Sequence, residues 1–360
     1  MTSEINLNAD AIANAMLTAG KNDGLRNKMM AALRIAQNDS EDPSEFQAAV
    51  RWPIILGLLG DGGIHRLTLA NGLVFELGAD SRIEQAALLS AVEHPDHVWE
   101  PQTTRLLVEL ARDAANVIVG GAYIGDHVLP MSRVIKKGGR VHAFEPMAAT
   151  FARLRRNIVL NDIQNVVTNQ LGLWDVSDAA LVIEGDLALG SAVVADTHTT
   201  GDEVIRSMAI DDYVKKQGLA GIELIMLDTE GGEEKALMGA KALLSLPVGS
   251  APNIVFEIHR HYVDWSEGLD NASVVRLLTD RGYTVYAIRD LHDNYAMAGK
   301  AIEIIPAKEV YLDGPPHGFN ALATKDASLV TRLGLRVVYN VSPKLFPHKD
   351  SALHHPTEGF

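Results

Sequence analysis

Four stretches of the chain combine residue types that can do chemistry. Asp228-Thr229-Glu230-Gly231-Gly232-Glu233 follows an apolar run ending at Leu227. Asp228 there can orient a substrate hydroxyl, hold an amino group, or ligate a metal. Glu230 and Glu233 fit equally well as acids in the first turn of a helix, where they complement its dipole. The second stretch is Glu257-Ile258-His259-Arg260-His261. On a continued strand Glu257, His259 and His261 share one face. His259 can then take a proton from a hydroxyl while Glu257 orients it, or the carboxylate–imidazole set can hold a hard divalent ion. A loop beginning at His261 breaks that alignment.

The third stretch is Gly120-Gly121-Ala122-Tyr123-Ile124-Gly125. Its glycines let the chain bend sharply and let a ligand approach the backbone. A helix starting just after it offers free N–H groups to an anion. A tight strand-to-helix turn with no ligand is the plainer reading of the same residues. The fourth is Glu145, which lies 20 residues beyond Gly125. An acid at that distance can accept both hydroxyls of a ribose, and the pairing suits NAD as well as S-adenosylmethionine. Trp174-Asp175 can border an adenine ring or pack as core. Trp99-Glu100-Pro101 can close over a cofactor. Asp211-Asp212-Tyr213 reads as a helix N-cap, and His348, His354 and His355 read as an exposed tail.

These residues converge only if each follows a strand of one parallel sheet, because ligands bind outside the carboxyl ends of such strands. From about residue 114 the apolar pattern supplies that order. Strands are predicted over 116–120, 140–145, 165–171, 223–228, 253–258, 283–288 and 319–324. Helices are predicted over 126–135, 148–160, 233–246 and 274–281, with β excursions at 179–184 and 191–195. The alternation predicts an α/β fold with helices on both faces of a mostly parallel sheet. The first hundred residues differ. Helices are predicted over 24–37, from Pro43 to Arg51 with disturbance at Pro53, and over 83–93. Residues 66–77 read as a hairpin turning at Asn71-Gly72. The expected division is a mainly helical extension over 1–97, a cofactor-binding domain over 98–325, and an appended helix and tail over 326–360. The extension is expected to act as a lid or a homodimer surface.

Of the 360 residues 47% are hydrophobic and 22% charged, which is ordinary globular usage. Thirty-two basic against 46 acidic residues give a net charge of −14, which disfavours nucleic-acid and anionic-membrane partners. There are no cysteines, so disulfides, thiolate metal sites and cysteine nucleophiles are excluded. The N-terminus lacks a basic segment leading into an apolar one, and apolar runs such as 53–60 fall far short of the ~18 residues of a span. A cytoplasmic protein acting on a small molecule is expected.

Taken together, VIVGGAYIGDHVL, GRVHAFEP, FARLRRNIVLND, LDTEGGEEKALMGA and IVFEIH resemble, in order and spacing, the FkbM family of S-adenosylmethionine-dependent methyltransferases. The resemblance covers about residues 97–290. It implies a Rossmann-like, seven-stranded class I methyltransferase fold, with O-methylation of a sugar-like or secondary-metabolite hydroxyl and S-adenosyl-L-homocysteine as product. It implies that Gly121, Ala122, Tyr123 and Gly125 surround the methionine part of the cofactor and that Glu145 binds its ribose. Asp228 and Glu230 match the family's acidic pair. Two positions depart from the pattern: Val119 stands where the family has an acid, and Tyr123 where it has asparagine. The expected cofactor-binding set is completed by Asp228, Trp174 and Glu100, and the catalytic set is His259, Asp228 and Glu257. A divalent metal is an open expectation. The alternatives are an NAD-dependent oxidoreductase, against which the turn lacks the third glycine of G-x-G-x-x-G, and a non-catalytic module that binds S-adenosylmethionine.

Overall fold

The computed structural model describes residues 9–184, 191–194, 204–312 and 318–345. The chain divides into two compact units, one of Met1–Trp99 with Asp293–Ala296, the other of Glu100–His292 with Met297–Phe360.

In the first unit, helices Ala9–Gly20 and Asp23–Asn38 precede a longer helical run. The Asn22 side chain caps the second helix by accepting from Leu25 N–H, and Asp42 caps the third by accepting from Ser44 and Glu45. The expected disturbance near Pro53 takes the form of a change of helix type rather than a break. Helix Pro43–Phe46 widens into a π-turn over Gln47–Arg51 and continues as Trp52–Leu59, with Pro53 in its first turn. The change of bonding pattern absorbs the missing proline N–H. The hairpin pairs His65–Thr68 with Val74–Leu77. The next helix, Arg82–Leu88, is shorter than predicted. The buried Arg51 guanidinium takes the carbonyls of Leu88, Leu89 and Ser90, which ends that helix.

The second unit holds the sheet. Its principal strands are β1 (Asn116–Gly120), β2 (Arg140–Phe144), β3 (Val166–Asn169), β4 (Leu224–Leu227), β5 (Asn253–His259), β6 (Thr284–Arg289) and β7 (Gly318–Thr324). They lie in the order β3-β2-β1-β4-β5-β7-β6. The pairs from β3 through to β5 are parallel, and β7 runs antiparallel to both β5 and β6. Helices α1 (Pro101–Ala111), α2 (Val128–Val134), α3 (Ala148–Leu160), α4 (Ile210–Gln217), α5 (Glu233–Met238), α6 (Lys241–Leu244) and α7 (Ser273–Thr279) complete the alternation.

Seven strands were expected and the sheet has nine. Glu303–Pro306 pairs with β6, and Arg336–Val337 pairs with Glu303–Pro306. The region expected as an appended helix and tail therefore contributes one helical turn, Leu329–Arg332, and an edge strand. This covers the otherwise open flank of β6. A smaller sheet orders Gly172–Leu173, Ile205–Met208, Ala180–Glu184 and Ser191–Val194. Asp211 does not cap its own helix as predicted. Its carboxylate accepts from Ala242 and Leu243 N–H at the start of α6. His348, His354 and His355 lie outside the described residues, and among the described residues no helix is long and apolar enough to cross a membrane.

Alternation along the strands sorts core from site. Ile225, Leu227, Ile254, Phe256, Ile258, Phe319 and Ala321 are buried in one apolar cluster with Leu237, Val274 and Leu278 of the helices. The residues between them, including Glu257, His259 and Asn320, therefore face the other side, as does Asp228 one step beyond Leu227. The turn after β1 is the tightest point of this arrangement. Gly121 has φ +71°, and a Cβ there would lie 1.6 Å from the Asp228 carbonyl oxygen. Replacing Gly121 by alanine must push two strand ends apart, whereas Gly138, with φ +83° and open space around it, meets only the dihedral penalty. Gly121→Ala is expected to destabilise by about 2–4 kcal/mol and Gly138→Ala by about 1 kcal/mol. Denaturant titration checks this; equal losses would contradict the assigned contact.

Candidate active site

The register brings the informative residues abreast. Leu227 of β4 pairs with Gly120 of β1 and with Phe256 of β5. One residue further, Asp228 donates its N–H to the Gly120 carbonyl at 3.0 Å. Glu257 pairs with Asn320 on β7. The chain beyond Asp228 turns through Glu230 (φ +52°) and Gly231 (φ +94°). Glu233 holds this turn. Its carboxylate accepts from Thr229 N at 2.6 Å, Thr229 Oγ1 at 2.9 Å and Gly231 N at 3.0 Å. Glu233 is thus a structural clamp, as its plainer reading predicted. Glu230 is not. Asp228, Glu230 and Glu257 each place a carboxylate oxygen so that the three lie within 4.8 Å of one another.

This crowding sets the electrostatics. Burial, then the charges of Glu100 and Glu230, push the Asp228 carboxyl well above its usual range. Burial and then Asp228 do the same to Glu257. Glu230 is pushed up to about 7 by burial and by Glu233 and Glu100. The Tyr262 ring lies against Gly231, where a Cβ would come within 2.7 Å of it. Burial and Glu230 push its hydroxyl up to about 12.

The strand carrying Glu257 ends at His259, so the predicted face continues through Glu257 and His259 but not His261. Tyr262 and Val263 N–H turn back onto the His259 carbonyl. The His261 N–H donates to His259 Nδ1 at 3.2 Å, and the two rings stack with centroids 4.8 Å apart. A neutral His259 that accepts at Nδ1 carries its proton on Nε2.

Beside this cluster lies the glycine turn. Ala122 N–H donates to the Phe144 carbonyl at 2.9 Å, tying the turn to β2. Tyr123 has φ +44°, and its N–H donates to Glu145 Oε2 at 2.9 Å. The same buried carboxylate accepts from Met147 N at 3.0 Å and Thr150 Oγ1 at 2.7 Å. Gly125 (φ +95°) is closed over by Leu129 and Leu154. Helix α2 begins at Val128, later than predicted, so Asp126 and His127 stay in the turn. Trp174 is buried in a small apolar cluster with Leu181 and Ile205, with Met147 packed against it.

Glu100 organises a network that the sequence reading largely missed. It is buried, with left-handed φ +48°. Its Oε2 accepts from Asn320 Nδ2 at 2.7 Å and faces His127 Nε2 at 3.6 Å, and its Oε1 faces His292 Nε2 at 3.2 Å. Lys344 donates to His292 Nδ1, and His127 Nδ1 meets Thr104 Oγ1 at 3.1 Å. Burial alone would raise Glu100, but the bond from His127 and the charge of His292 outweigh it and hold the carboxyl below its usual range. Burial would depress His127, yet Asp126 and Glu100 overcome it and raise the imidazole to about 9. Asp126 and His127 directly follow a predicted ligand-binding turn, and that position was the available signal. Nothing local to His292 or Asn320 marks them, since only the sheet order brings them to Glu100.

The order β3-β2-β1-β4-β5-β7-β6, with its last strand reversed and inserted, is not the 3-2-1-4-5-6 order of dinucleotide-binding folds. It is that of the class I methyltransferase fold, and with the missing third glycine it removes the support for an NAD-dependent reading. Residues 120–285 match the family described as Methyltransferase FkbM domain. A stretch of 199 residues is 29% identical to the 31-O-demethyl-FK506 methyltransferase FkbM of Streptomyces tacrolimicus, covering 47% of this chain and 73% of that protein. Similar solved structures include an O-methyltransferase from Bacillus cereus in complex with S-adenosylhomocysteine (15% identity, 62% of this chain, 81% of that chain, TM-score 0.35). Fibrillarin from Aeropyrum pernix with bound S-adenosyl-L-methionine is another (13% identity, 73% and 82%, TM-score 0.34). Both sequence matches are thus to FkbM-type methyltransferases, the family match spanning a little under half of the chain.

Because the folded pKa of His127 is raised above its unfolded value near 6.5, the pairing stabilises fully below that value and is lost as pH rises through about 9. The His127 ring resonances should titrate near pH 9 in the intact protein and at lower pH in Glu100→Gln. Titration of His127 near 6.5 in the unaltered protein would contradict the ion-paired geometry.

Proposed function

We propose that this methyltransferase carries the methyl group of S-adenosyl-L-methionine to a hydroxyl oxygen of a small sugar-like or secondary-metabolite acceptor, releasing S-adenosyl-L-homocysteine. The observation that carries the reading is the direct bond from the glycine turn to Glu145, one strand away from the acidic group at Asp228, all on one sheet edge. The residues suit the cofactor. The turn of Gly121, Ala122, Tyr123 and Gly125 follows β1, at the strand end where its methionine part would sit. Glu145 is a carboxylate held at the strand end where a ribose is gripped. It spends three of about four lone-pair directions on the protein, which leaves capacity for a ribose hydroxyl. Glu100, next to the acidic group, offers further negative charge toward a cationic ligand. The name of the Streptomyces relative specifies methylation at an oxygen, which supports oxygen as the target atom here.

When bound, S-adenosyl-L-methionine supplies an electrophilic methyl group, and the electron pair of the broken carbon–sulfur bond stays on sulfur, so the leaving group needs no acid. The chain's tasks are orientation and proton removal. The carboxylates of Asp228, Glu230 and Glu257 receive the hydroxyl proton, and burial with mutual repulsion raises their proton affinity toward the working pH. Tyr262 walls the cluster on the side of Gly231.

Calorimetry with S-adenosyl-L-homocysteine is expected to show binding, with no response to NAD. Glu145→Gln should weaken that binding by roughly tenfold, the loss of a hydrogen bond to a charged group. Glu257→Gln should leave it near the unaltered value while lowering methyl transfer by about 10²–10⁴. Retained affinity in Glu145→Gln would overturn the ribose assignment.

A further inference from the structure

We propose that Asp228, Glu230 and Glu257 bind a divalent, oxygen-seeking cation, on which two neighbouring hydroxyls of the acceptor chelate. What the cation does there rests on the methyl-transfer reading above; its binding does not.

The geometry is that of a shared ion. Two oxygens on one hard cation lie at most about 4 Å apart at the 2.0–2.1 Å of Mg²⁺ and about 5 Å apart at the 2.3–2.6 Å of Ca²⁺. The three carboxylate oxygens here all fall within 4.8 Å of one another. They come from two adjacent strand ends and the turn after one of them, which Glu233 and the Gly121–Asp228 contact hold in place. The donors are all carboxylate, the hard set that selects Mg²⁺, Mn²⁺ or Ca²⁺ over softer metals.

A separate observation points into the same space. Among the described residues, Glu257 Oε2 is buried with no hydrogen-bond partner. A carboxylate oxygen shut from water normally finds a donor. Across the sheet, residue 318 has no side chain. A Cβ on Gly318 would lie 2.7 Å from Glu257 Oε1 and 2.5 Å from His259 Cδ2. Strand β7 thus keeps clear the ground beside Glu257 that any side chain would fill. A cation satisfies the orphaned oxygen and neutralises the crowding in one step.

Three protein oxygens leave about three of six coordination positions for water and substrate. A pair of vicinal hydroxyls fills two of them, which narrows the acceptor to a diol-bearing molecule. A hydroxyl on the cation loses its proton more readily, and carboxylate oxygens not engaged in coordination receive it.

The test uses the full-length protein and Mn²⁺ alone, followed by the loss of the free-ion electron paramagnetic resonance signal. One site is expected with Kd below about 1 mM. Asp228→Asn and Glu257→Gln should each weaken it by roughly 10–100-fold or more, and Glu109→Gln, an exposed acid on α1, should leave it unchanged. In the unaltered protein, Mn²⁺ should broaden the ring resonances of His259 and Tyr262 before those of Tyr283 at the opposite end of the sheet. This readout needs no variant to fold. Absence of binding, or binding indifferent to the substitutions, or broadening centred elsewhere, would mean that the three acids share protons and hold no metal. Calorimetry with S-adenosyl-L-homocysteine, run without Mn²⁺, separates the two ideas. Nucleoside binding without Mn²⁺ binding overturns the cation site alone, and Mn²⁺ binding without nucleoside binding overturns the methyl-transfer reading alone.

Discussion

The carbonyl oxygen of Asp228 sits where a side chain on residue 121 would begin. That single contact sets the distance between the ends of β1 and β4, and most of the site follows from it. It requires glycine at 121, because the carbonyl oxygen fills the space a side chain would take. It places Asp228 beside that turn, with Glu257 on its other flank. The turn then passes its next N–H groups to Phe144 and Glu145, which brings the end of β2 into the same assembly. Three strand ends are joined through main-chain contacts, and the reactive side chains are carried on them. A site built this way is positioned more exactly than one built on loops alone.

Charge on this face is distributed unevenly. Val119 lies buried on β1 and brings no charge. Acids nevertheless dominate the neighbourhood through Asp228, Glu230, Glu257 and Glu100. Glu100 differs from the others because Asn320, His127 and His292 satisfy it, so it stays ionised while the other three compete for protons. The site therefore holds one settled carboxylate and three unsettled ones. A negative environment of this kind suits a cationic cofactor, and it is achieved with no acid at position 119.

How far this was readable beforehand depended on range. Period-two and helical patterns located the strands from 116 to 324 and the glycine turn, because a buried parallel strand is an uninterrupted apolar run bounded by turn residues. They also placed Glu145, Asp228 and Glu257 at strand ends. The π-turn before Pro53, the early stop at Leu88 and the strands Glu303–Pro306 and Arg336–Val337 were not readable. Each is decided by a distant partner: the Arg51 guanidinium in the case of Leu88, the open flank of β6 in the case of the extra strands. The same reason hid His292 and Asn320, which reach Glu100 only because β7 inserts beside β5. His261 had two readings, on the strand face or in a loop, and the strand's end at His259 decides for the loop, because alternation says nothing about where a strand ends.

Three residues bordering the site, Glu100, Tyr123 and Glu230, hold the left-handed backbone conformation that glycine adopts without penalty. Each carries a side chain or an amide that the site uses. Glycine would hold the same backbone without strain but without those groups, so each position trades robustness for purpose in the loops that frame the ligand edge. A thermally hardened descendant of this protein would be expected to lose its side chains there first, and its chemistry with them.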